Sequence, residues 1–115
     1  MKTIIAGSRG ITDYYVVLAA ILESNFEITE VVSGTARGVD QLGETYAVRN
    51  KLPIAKFPAD WDRFGKRAGF LRNADMALYA DALIAVWDGK SKGTKHMIDC
   101  AKLQGLKTYI HYVKD

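Results

Sequence analysis

The stretch that most constrains the fold is residues 31–40, V-V-S-G-T-A-R-G-V-D, where an apolar run passes through a turn with two glycines into a helical pattern. Such a turn leaves backbone N–H groups unpaired at the start of the helix, where the helix dipole adds positive potential. Because Gly34 and Gly38 carry no Cβ atom, an anion can approach the backbone closely. The segment therefore predicts a strand, a phosphate-binding turn and a helix, although both glycines could also serve only to relieve a tight turn.

Two further turns repeat this arrangement. Residues 86–94, V-W-D-G-K-S-K-G-T, again join an apolar run to a helical pattern, and residues 6–9, A-G-S-R, follow the first apolar run. In parallel α/β sheets, ligands bind outside the carboxyl ends of the strands. Since all three turns follow predicted strands, we expect them to meet at one sheet edge and to bind a nucleotide-like ligand.

Apolar runs alternate with helical patterns along the whole chain. Strands are predicted at residues 2–6, 28–33, 54–57, 82–87 and 107–113, with helical spacing of apolar residues between them. Thr12 or Asp13 can cap the first helix, Pro53 ends the second, and Gly105 caps the last, which covers residues 94–104. The pattern predicts one α/β domain over residues 1–115, a Rossmann-like fold with a five-stranded, mainly parallel sheet and helices on both faces.

Composition argues against several classes of protein. A chain of 115 residues, 49% of them hydrophobic, can bury one core but not two. Its 16 basic and 13 acidic residues fall far short of the basic excess of a dedicated nucleic-acid binder. Cys100 has no partner for an intrachain disulfide, and with His96 and His111 it shows no metal-ligand spacing. The two histidines also lack a recognisable carboxylate partner. Neither a metal nor a cofactor is expected.

The N-terminal segment, M-K-T-I-I-A-G-S-R, reaches charged residues after a short apolar run. This run is too short for a signal-peptide core or a membrane span, so we expect a cytoplasmic protein without a membrane partner.

Residues 58–66, P-A-D-W-D-R-F-G-K, have neither a helical nor an alternating period and mix aromatic with charged side chains. They are predicted to form an exposed loop, in which Trp61 and Phe64 act as a lid or as a subunit contact. A homo-oligomer is the expected assembly.

Three motifs occur in order along the chain: S-G-x-A-x-G-x-D at residues 33–40, R-N at residues 72–73 and G-T at residues 93–94. Together they resemble the motif set of the SLOG superfamily of Rossmann-like nucleotide-binding domains. The run over residues 57–99 resembles the YspA/YpsA-related branch of that superfamily, and the similarity covers nearly the whole chain. The resemblance implies a nucleotide-derived ligand but does not fix a reaction.

One group of SLOG relatives implies an enzyme. The lonely-guy phosphoribohydrolases, which release a base from its ribotide, have an R-K-x-x-M helix motif that residues 72–76, R-N-A-D-M, resemble. Their P-G-G-x-G-T-x-x-E motif supplies a glutamate for glycosidic cleavage, but Met97 stands at that position here. The missing glutamate favours binding over cleavage, and Asp88 or Asp99 would have to replace it.

A second group, the DNA-processing protein A family, loads recombinase onto single-stranded DNA and shares the S-G-x-A-x-G-x-D turn and an R-N helix start. This resemblance implies single-stranded DNA binding as a further alternative. Those proteins carry extra flanking segments outside the region of resemblance, so nucleic acid is not the favoured partner.

The predicted site combines these turns and motifs. Arg72 is expected to start a helix and hold a phosphate, and Asp88 to activate water or stabilise an oxocarbenium ion if the ligand is cleaved. Trp87 can stack on a base or belong to the core, and Asp40 can contact a ligand hydroxyl or stabilise its helix. Arg9 and Arg72 could also be ordinary solvated arginines. The candidate ligand contacts are Gly7, Ser8, Arg9, Ser33, Gly34, Thr35, Ala36, Gly38, Asp40, Arg72, Asn73, Trp87, Asp88, Gly89, Ser91, Gly93 and Thr94.

The sequence thus predicts a binding or sensor domain for a nucleotide or phosphoribosyl compound at the C-terminal edge of the sheet. Hydrolysis of an N-glycosidic bond in such a ligand, with Arg72 and Asp88 as catalytic residues, is the alternative.

Overall fold

Strands and helices alternate along the chain, of which the computed structural model describes residues 1–114. The strands are β1 (Lys2–Gly7), β2 (Glu30–Ser33), β3 (Ile54–Lys56), β4 (Ala82–Trp87) and β5 (Lys107–Tyr112). The helices are α1 (Tyr14–Ser24), α2 (Val39–Arg49), α3 (Trp61–Phe64), α4 (Ala68–Tyr79) and α5 (Lys92–Leu103), with a 3₁₀ turn (Gly65–Arg67) between α3 and α4. In the described part of the chain, no helix is long and apolar enough to cross a bilayer.

The five strands form one sheet in the order β3-β2-β1-β4-β5. Every neighbouring pair is parallel, so the predicted mainly parallel sheet is confirmed as an entirely parallel one. The chain proceeds outward from β1 through β2 to β3, and then returns to the other side of β1 to add β4 and β5. This reversal places a topological switch point between the carboxyl ends of β1 and β4, where α/β folds open a crevice.

Helices cover both faces of the sheet, as predicted. One apolar core lies beneath α1 and α2 and includes Ile5, Val17 and Ile84. The other lies beneath α4 and α5 and includes Ile4, Met76 and Leu83. Neighbouring β1 residues therefore point into opposite cores, as the alternation of side chains along a strand requires. The two cores hold the carboxyl edge of the sheet in a fixed geometry.

The start of α1 follows the predicted capping chemistry. Asp13, rather than Thr12, is the cap, because its Oδ1 accepts a hydrogen bond from the Tyr15 N–H at 2.9 Å. Strand ends differ slightly from the prediction: β2 begins at Glu30 and not at residue 28.

Two helices end in Schellman motifs. After α5, Gly105 has a φ of +74°, and the Leu106 N–H donates to the Ala101 carbonyl at 2.9 Å. After α2, Lys51 takes the same left-handed position with a φ of +56°. A lysine there costs more conformational energy than glycine, so the end of α2 is held by its surroundings.

The prediction of an irregular loop over residues 58–66 is wrong in part. The segment contains α3 and the start of the 3₁₀ turn. Asp60 caps α3, since its Oδ1 accepts from the Arg63 N–H at 3.2 Å, and Gly65 ends it with a φ of +58°. A helix of one turn is too short to produce a periodic apolar pattern, so only the capping aspartate could have indicated it.

Candidate functional site

A cavity of about 440 Å³, which we call the main cavity, opens at the switch point between β1 and β4. Eleven of the predicted contact residues line it: Gly7, Ser8, Arg9, Ala36, Asp40, Arg72, Asn73, Asp88, Ser91, Gly93 and Thr94. Its other walls come from residues that were not predicted as ligand contacts, including Phe70, Met76 and Met97. The three strand–helix turns thus meet at one edge, where α4 and α5 add an apolar wall.

Arg72 and Asn73 join the two halves of the site. The Arg72 Nη1 donates to the Gly34 carbonyl, and its Nε donates to the Asn73 Oδ1 at 3.0 Å. The buried Asn73 amide donates to the Gly93 carbonyl at 3.3 Å and lies 3.2 Å from the Nδ1 of His96. Asn73 therefore positions Arg72 and α5 relative to each other. The expectation that Arg72 starts a helix is wrong. Because α4 begins at Ala68, Arg72 lies in its second turn.

Asp40 is a buried carboxyl group in the wall of the main cavity. It lies in the first turn of α2, with only 6% of its surface exposed, and its Oδ2 accepts from the Ala36 N–H at 3.1 Å. Burial raises the pKa of Asp40 to about 6, and the Ala36 N–H and nearby Arg72 partly oppose that increase. A carboxyl group with this pKa gains or loses a proton close to neutral pH.

Gly34 and Gly38 are required for different reasons. A Cβ atom on Gly34 would lie 2.6 Å from the Arg72 Nη1 and 2.8 Å from the Asp40 Oδ2, so two charged side chains meet where that atom would be. Gly38 has a φ of +78°, and its Cβ would lie 2.6 Å from the Arg9 carbonyl oxygen. Gly38 therefore lets the turns after β1 and β2 pack together, whereas Gly34 makes room for the charged groups of the site.

Asp88 lines the main cavity but is also bound by its own turn. Its Oδ1 accepts hydrogen bonds from the N–H groups of Ser91 and Lys90, each at 2.8 Å. These bonds, that of Ser91 first, hold the pKa of Asp88 below its ordinary value. An ionised carboxylate of this kind cannot donate a proton at neutral pH, although it can stabilise a developing positive charge.

The two tryptophans differ in their relation to the main cavity. Trp87 does not line the main cavity: its indole N–H donates to the Ser91 carbonyl at 3.0 Å, and its ring lies 5.7 Å from that of Tyr112. Trp61 lines the main cavity, and 50% of its surface is exposed. A Cβ on Gly69 would lie 3.3 Å from the Trp61 ring, so the glycine allows this ring to pack on α4. Of the two tryptophans, Trp61 is therefore the one available to a ligand.

Ser33 supports the site from outside the cavity. Its buried Oγ donates to Glu44 Oε2 at 2.6 Å and accepts from the Thr35 N–H at 3.1 Å, and Lys56 lies 3.7 Å from the same carboxylate. This network holds Thr35 in a left-handed conformation with a φ of +64°. Sequence reasoning missed Glu44, whose position on α2 one turn beyond Asp40 was the available signal.

Gly89 lies outside the cavities as well, at an open turn where its φ of +79° favours glycine. Four predicted contacts line neither the main cavity nor the second cavity described below: Ser33, Gly38, Trp87 and Gly89.

Neither histidine is among the residues that line the main cavity. The ring of His96 packs 4.4 Å from that of Phe70, and the half-buried Cys100 thiol lies 3.6 Å from His96 Nε2. His111 Nδ1 lies 2.8 Å from Glu23 Oε1, so the expectation that neither histidine has a carboxylate partner is wrong for His111. Within residues 1–114, His, Cys, Asp and Glu side chains form no group of three that could hold a metal ion.

A second cavity, of about 570 Å³, adjoins the main one, and we call it the side cavity. Its walls are the turn after β2 and the segment that precedes α3, together with side chains from the main cavity. The lining residues are Arg9, Gly34, Thr35, Ala36, Arg37, Pro58, Ala59, Trp61 and Arg72. Gly34 and Thr35, which do not reach the main cavity, are therefore accounted for here.

Comparison with known proteins identifies relatives of this chain. A relative is the Gene 61 protein of Mycobacterium phage D29, which is 37% identical over 82 residues; the match covers 66% of this chain and 66% of the relative, slightly less than two thirds of its length. No solved structure gives a significant match. The sequence model of the YAcAr family, described as the YspA, cpYpsA-related SLOG family, matches residues 1–64. Because this match covers more than half of the chain and includes the turn after β2, the chain belongs to the YspA, cpYpsA-related SLOG family.

Proposed function

We propose that the main cavity binds a nucleotide or another phosphoribosyl compound. At a coarse level, membership of the SLOG family indicates binding or processing of a nucleotide-related ligand. The observation that carries the finer proposal is the composition of the cavity at the switch point: an apolar wall faces a buried carboxyl group and two arginines. A nucleotide has the matching parts, namely a flat apolar base, a ribose with hydroxyl donors and an anionic phosphate.

Each part of the cavity suits one part of such a ligand. Phe70 offers exposed apolar surface for the base, and the half-exposed Trp61 ring can cover it. Asp40 can accept hydrogen bonds from ribose hydroxyls, since Ala36 occupies only one side of its carboxylate. The guanidinium of Arg72, held in place by its bond to the Gly34 carbonyl, is suited to the phosphate.

Hydrolysis of an N-glycosidic bond is the second candidate function, and Asp40 is the observation that favours it. A carboxyl group with a pKa of about 6 in the cavity wall can act as a general acid or base at neutral pH. Asp88, with its lowered pKa, would then stabilise the oxocarbenium ion by its charge. This division of roles replaces the earlier hypothesis that Asp88 activates the water.

A thermal-shift titration tests the binding proposal. At a ligand concentration of about 100 times Kd, AMP or ribose 5-phosphate should stabilise the fold by about 2.7 kcal/mol. For a domain of this size that corresponds to a rise in Tm of roughly 10 °C. Arg72→Ala should abolish most of the shift, whereas Arg49→Ala, which removes an exposed arginine at the far end of α2, should preserve it. The proposal would be contradicted if neither a mononucleotide nor a phosphorylated ribose raised the Tm.

Chromatography of the same incubations separates binding from hydrolysis. Release of free base by the wild type that falls at least 100-fold in Asp40→Asn, with ligand binding preserved, would establish the enzyme and its proton-transfer group. Binding without release would leave the sensor function.

A further inference from the structure

We infer that the side cavity binds a second anionic group of the same ligand, so that this ligand carries a pyrophosphate or an equivalent pair of adjacent anionic groups. The inference rests on the proposed function of the main cavity, because it assigns the first phosphate to the boundary between the two.

Three arginines give the side cavity its charge. Arg9, Arg37 and Arg72 all line it, and no carboxylate occurs among the lining residues in the described part of the chain. Burial lowers the pKa of Arg72, Asp40 opposes this decrease, and the guanidinium group of Arg9 is near enough to add to it. An anion between them would relieve this repulsion, whereas a neutral sugar or base would not.

The two cavities share a boundary that one ligand can cross. Arg9, Ala36, Trp61 and Arg72 line both cavities. A phosphate at this boundary would therefore contact the two shared arginines while its nucleoside lies against the apolar wall of the main cavity. The next group along the ligand would enter the side cavity, where Arg37 is the additional cation.

The remaining surface of the side cavity is formed largely by backbone and small side chains. It is lined by the turn from Gly34 to Arg37, in which Thr35 has a left-handed backbone, and by Pro58 and Ala59. Apart from the shared Trp61, the lining residues in the described part of the chain include no large apolar side chain. The arrangement favours a second phosphate over a second base in direct contact with the wall.

The chemical class is therefore a nucleoside diphosphate or a pyrophosphate-bridged compound. Both present the same two phosphates, but only the bridged compound continues beyond the second one. Arg37 is the specificity residue of the proposal, because it lines the side cavity and not the main cavity.

Isothermal titration with AMP, ADP and ADP-ribose in the presence of EDTA tests this inference. ADP should bind wild-type protein about tenfold more tightly than AMP, which corresponds to about 1.4 kcal/mol. Arg37→Ala should remove this advantage while leaving the Kd for AMP within about twofold, and the control Arg49→Ala should preserve the advantage. Circular dichroism of each variant establishes that the fold is retained.

Two results would overturn the inference: equal affinity of the wild type for AMP and ADP, or an equal loss of AMP and ADP binding in Arg37→Ala. Either leaves mononucleotide binding intact as a separate conclusion. By contrast, failure of all three compounds to bind would contradict the proposed function itself. If ADP has its advantage, ADP-ribose distinguishes the two sources of the second phosphate. Retained affinity indicates a bridged ligand, and a loss of tenfold or more indicates a terminal phosphate.

Discussion

Replacing Asp40 with asparagine should make the protein more stable at neutral pH, and the gain should depend on pH. The carboxyl group is 6% exposed, and its pKa of about 6 lies above its ordinary value of 3.8. Asparagine keeps an oxygen that can accept from the Ala36 N–H but removes the charge that burial disfavours. The variant therefore isolates the free-energy cost of the buried charge.

The sign of this effect follows from the direction of the pKa shift. Below pH 3.8 Asp40 is protonated in both the folded and the unfolded chain, so it carries no cost. As the pH rises toward 6 the unfolded chain releases the proton first, and the wild type loses stability. Above pH 6 the cost is complete and amounts to about 3 kcal/mol, at about 1.4 kcal/mol for each unit of pKa.

Urea denaturation of both proteins between pH 3.5 and 8 measures the difference in unfolding free energy. We expect the advantage of Asp40→Asn to grow by about 3 kcal/mol from the lowest pH to pH 7 and then to level off. Asp75→Asn removes an exposed carboxylate on α4 and should change stability by less than about 0.5 kcal/mol. An advantage of Asp40→Asn that stays constant across the pH range, or that shrinks as the pH rises, would refute the assignment of a buried, proton-binding carboxyl group.

Three further predictions concern the turns, and urea denaturation checks each of them. Gly38→Ala should lower the free energy of unfolding by more than about 2 kcal/mol, because a φ of +78° is strained for alanine and its Cβ would collide with the Arg9 carbonyl. Gly93→Ala is the control: its Cβ meets open space in a helix, so the change should be neutral or stabilising by up to about 1 kcal/mol. Lys51→Gly should raise the free energy of unfolding by roughly 0.5 kcal/mol, since glycine adopts the left-handed conformation without strain. A decrease would show that contacts of the lysine side chain stabilise the fold by more than this strain costs. Asp88→Ala should lower the urea midpoint through two lost hydrogen bonds, whereas Asp88→Asn, which keeps the accepting oxygen, should leave it nearly unchanged. Equal losses in the two variants would exclude this role for Asp88.

The fold could be predicted from the sequence because its signals are local. The apolar run of β4 has the predicted bounds, Ala82–Trp87, since a strand buried on both faces leaves an uninterrupted apolar segment. Asp13 and Gly105 mark helix ends through hydrogen bonds to residues only a few positions away. Such features depend on neighbouring residues alone, and the sequence displays them directly.

The site could be predicted only in part, because its decisive contacts join distant residues. The packing of α4 against the turn after β2 brings Arg72 to the Gly34 carbonyl and buries Asp40 beside them. The sequence does not display this packing. The choice between Trp61 and Trp87 as the exposed aromatic residue has the same origin. Both tryptophans lie beside predicted ligand contacts or a predicted lid. Only the packing of the Trp61 ring against Gly69 shows which tryptophan reaches the cavity.

The central position of β1 has a consequence for how this chain can be divided. Residues 1–64, which the family model matches, contain only one of the two strands that pair with β1; the other, β4, begins at Ala82. A fragment ending at Phe64 would therefore leave a long apolar edge, including Ile4 and Ile5, with unsatisfied backbone groups. An open edge of this kind recruits a strand from a second copy. Truncation at the end of the matched region should thus yield aggregates or strand-exchanged dimers, and supplying residues 65–114 as a separate polypeptide should restore a soluble heterodimer by fragment complementation.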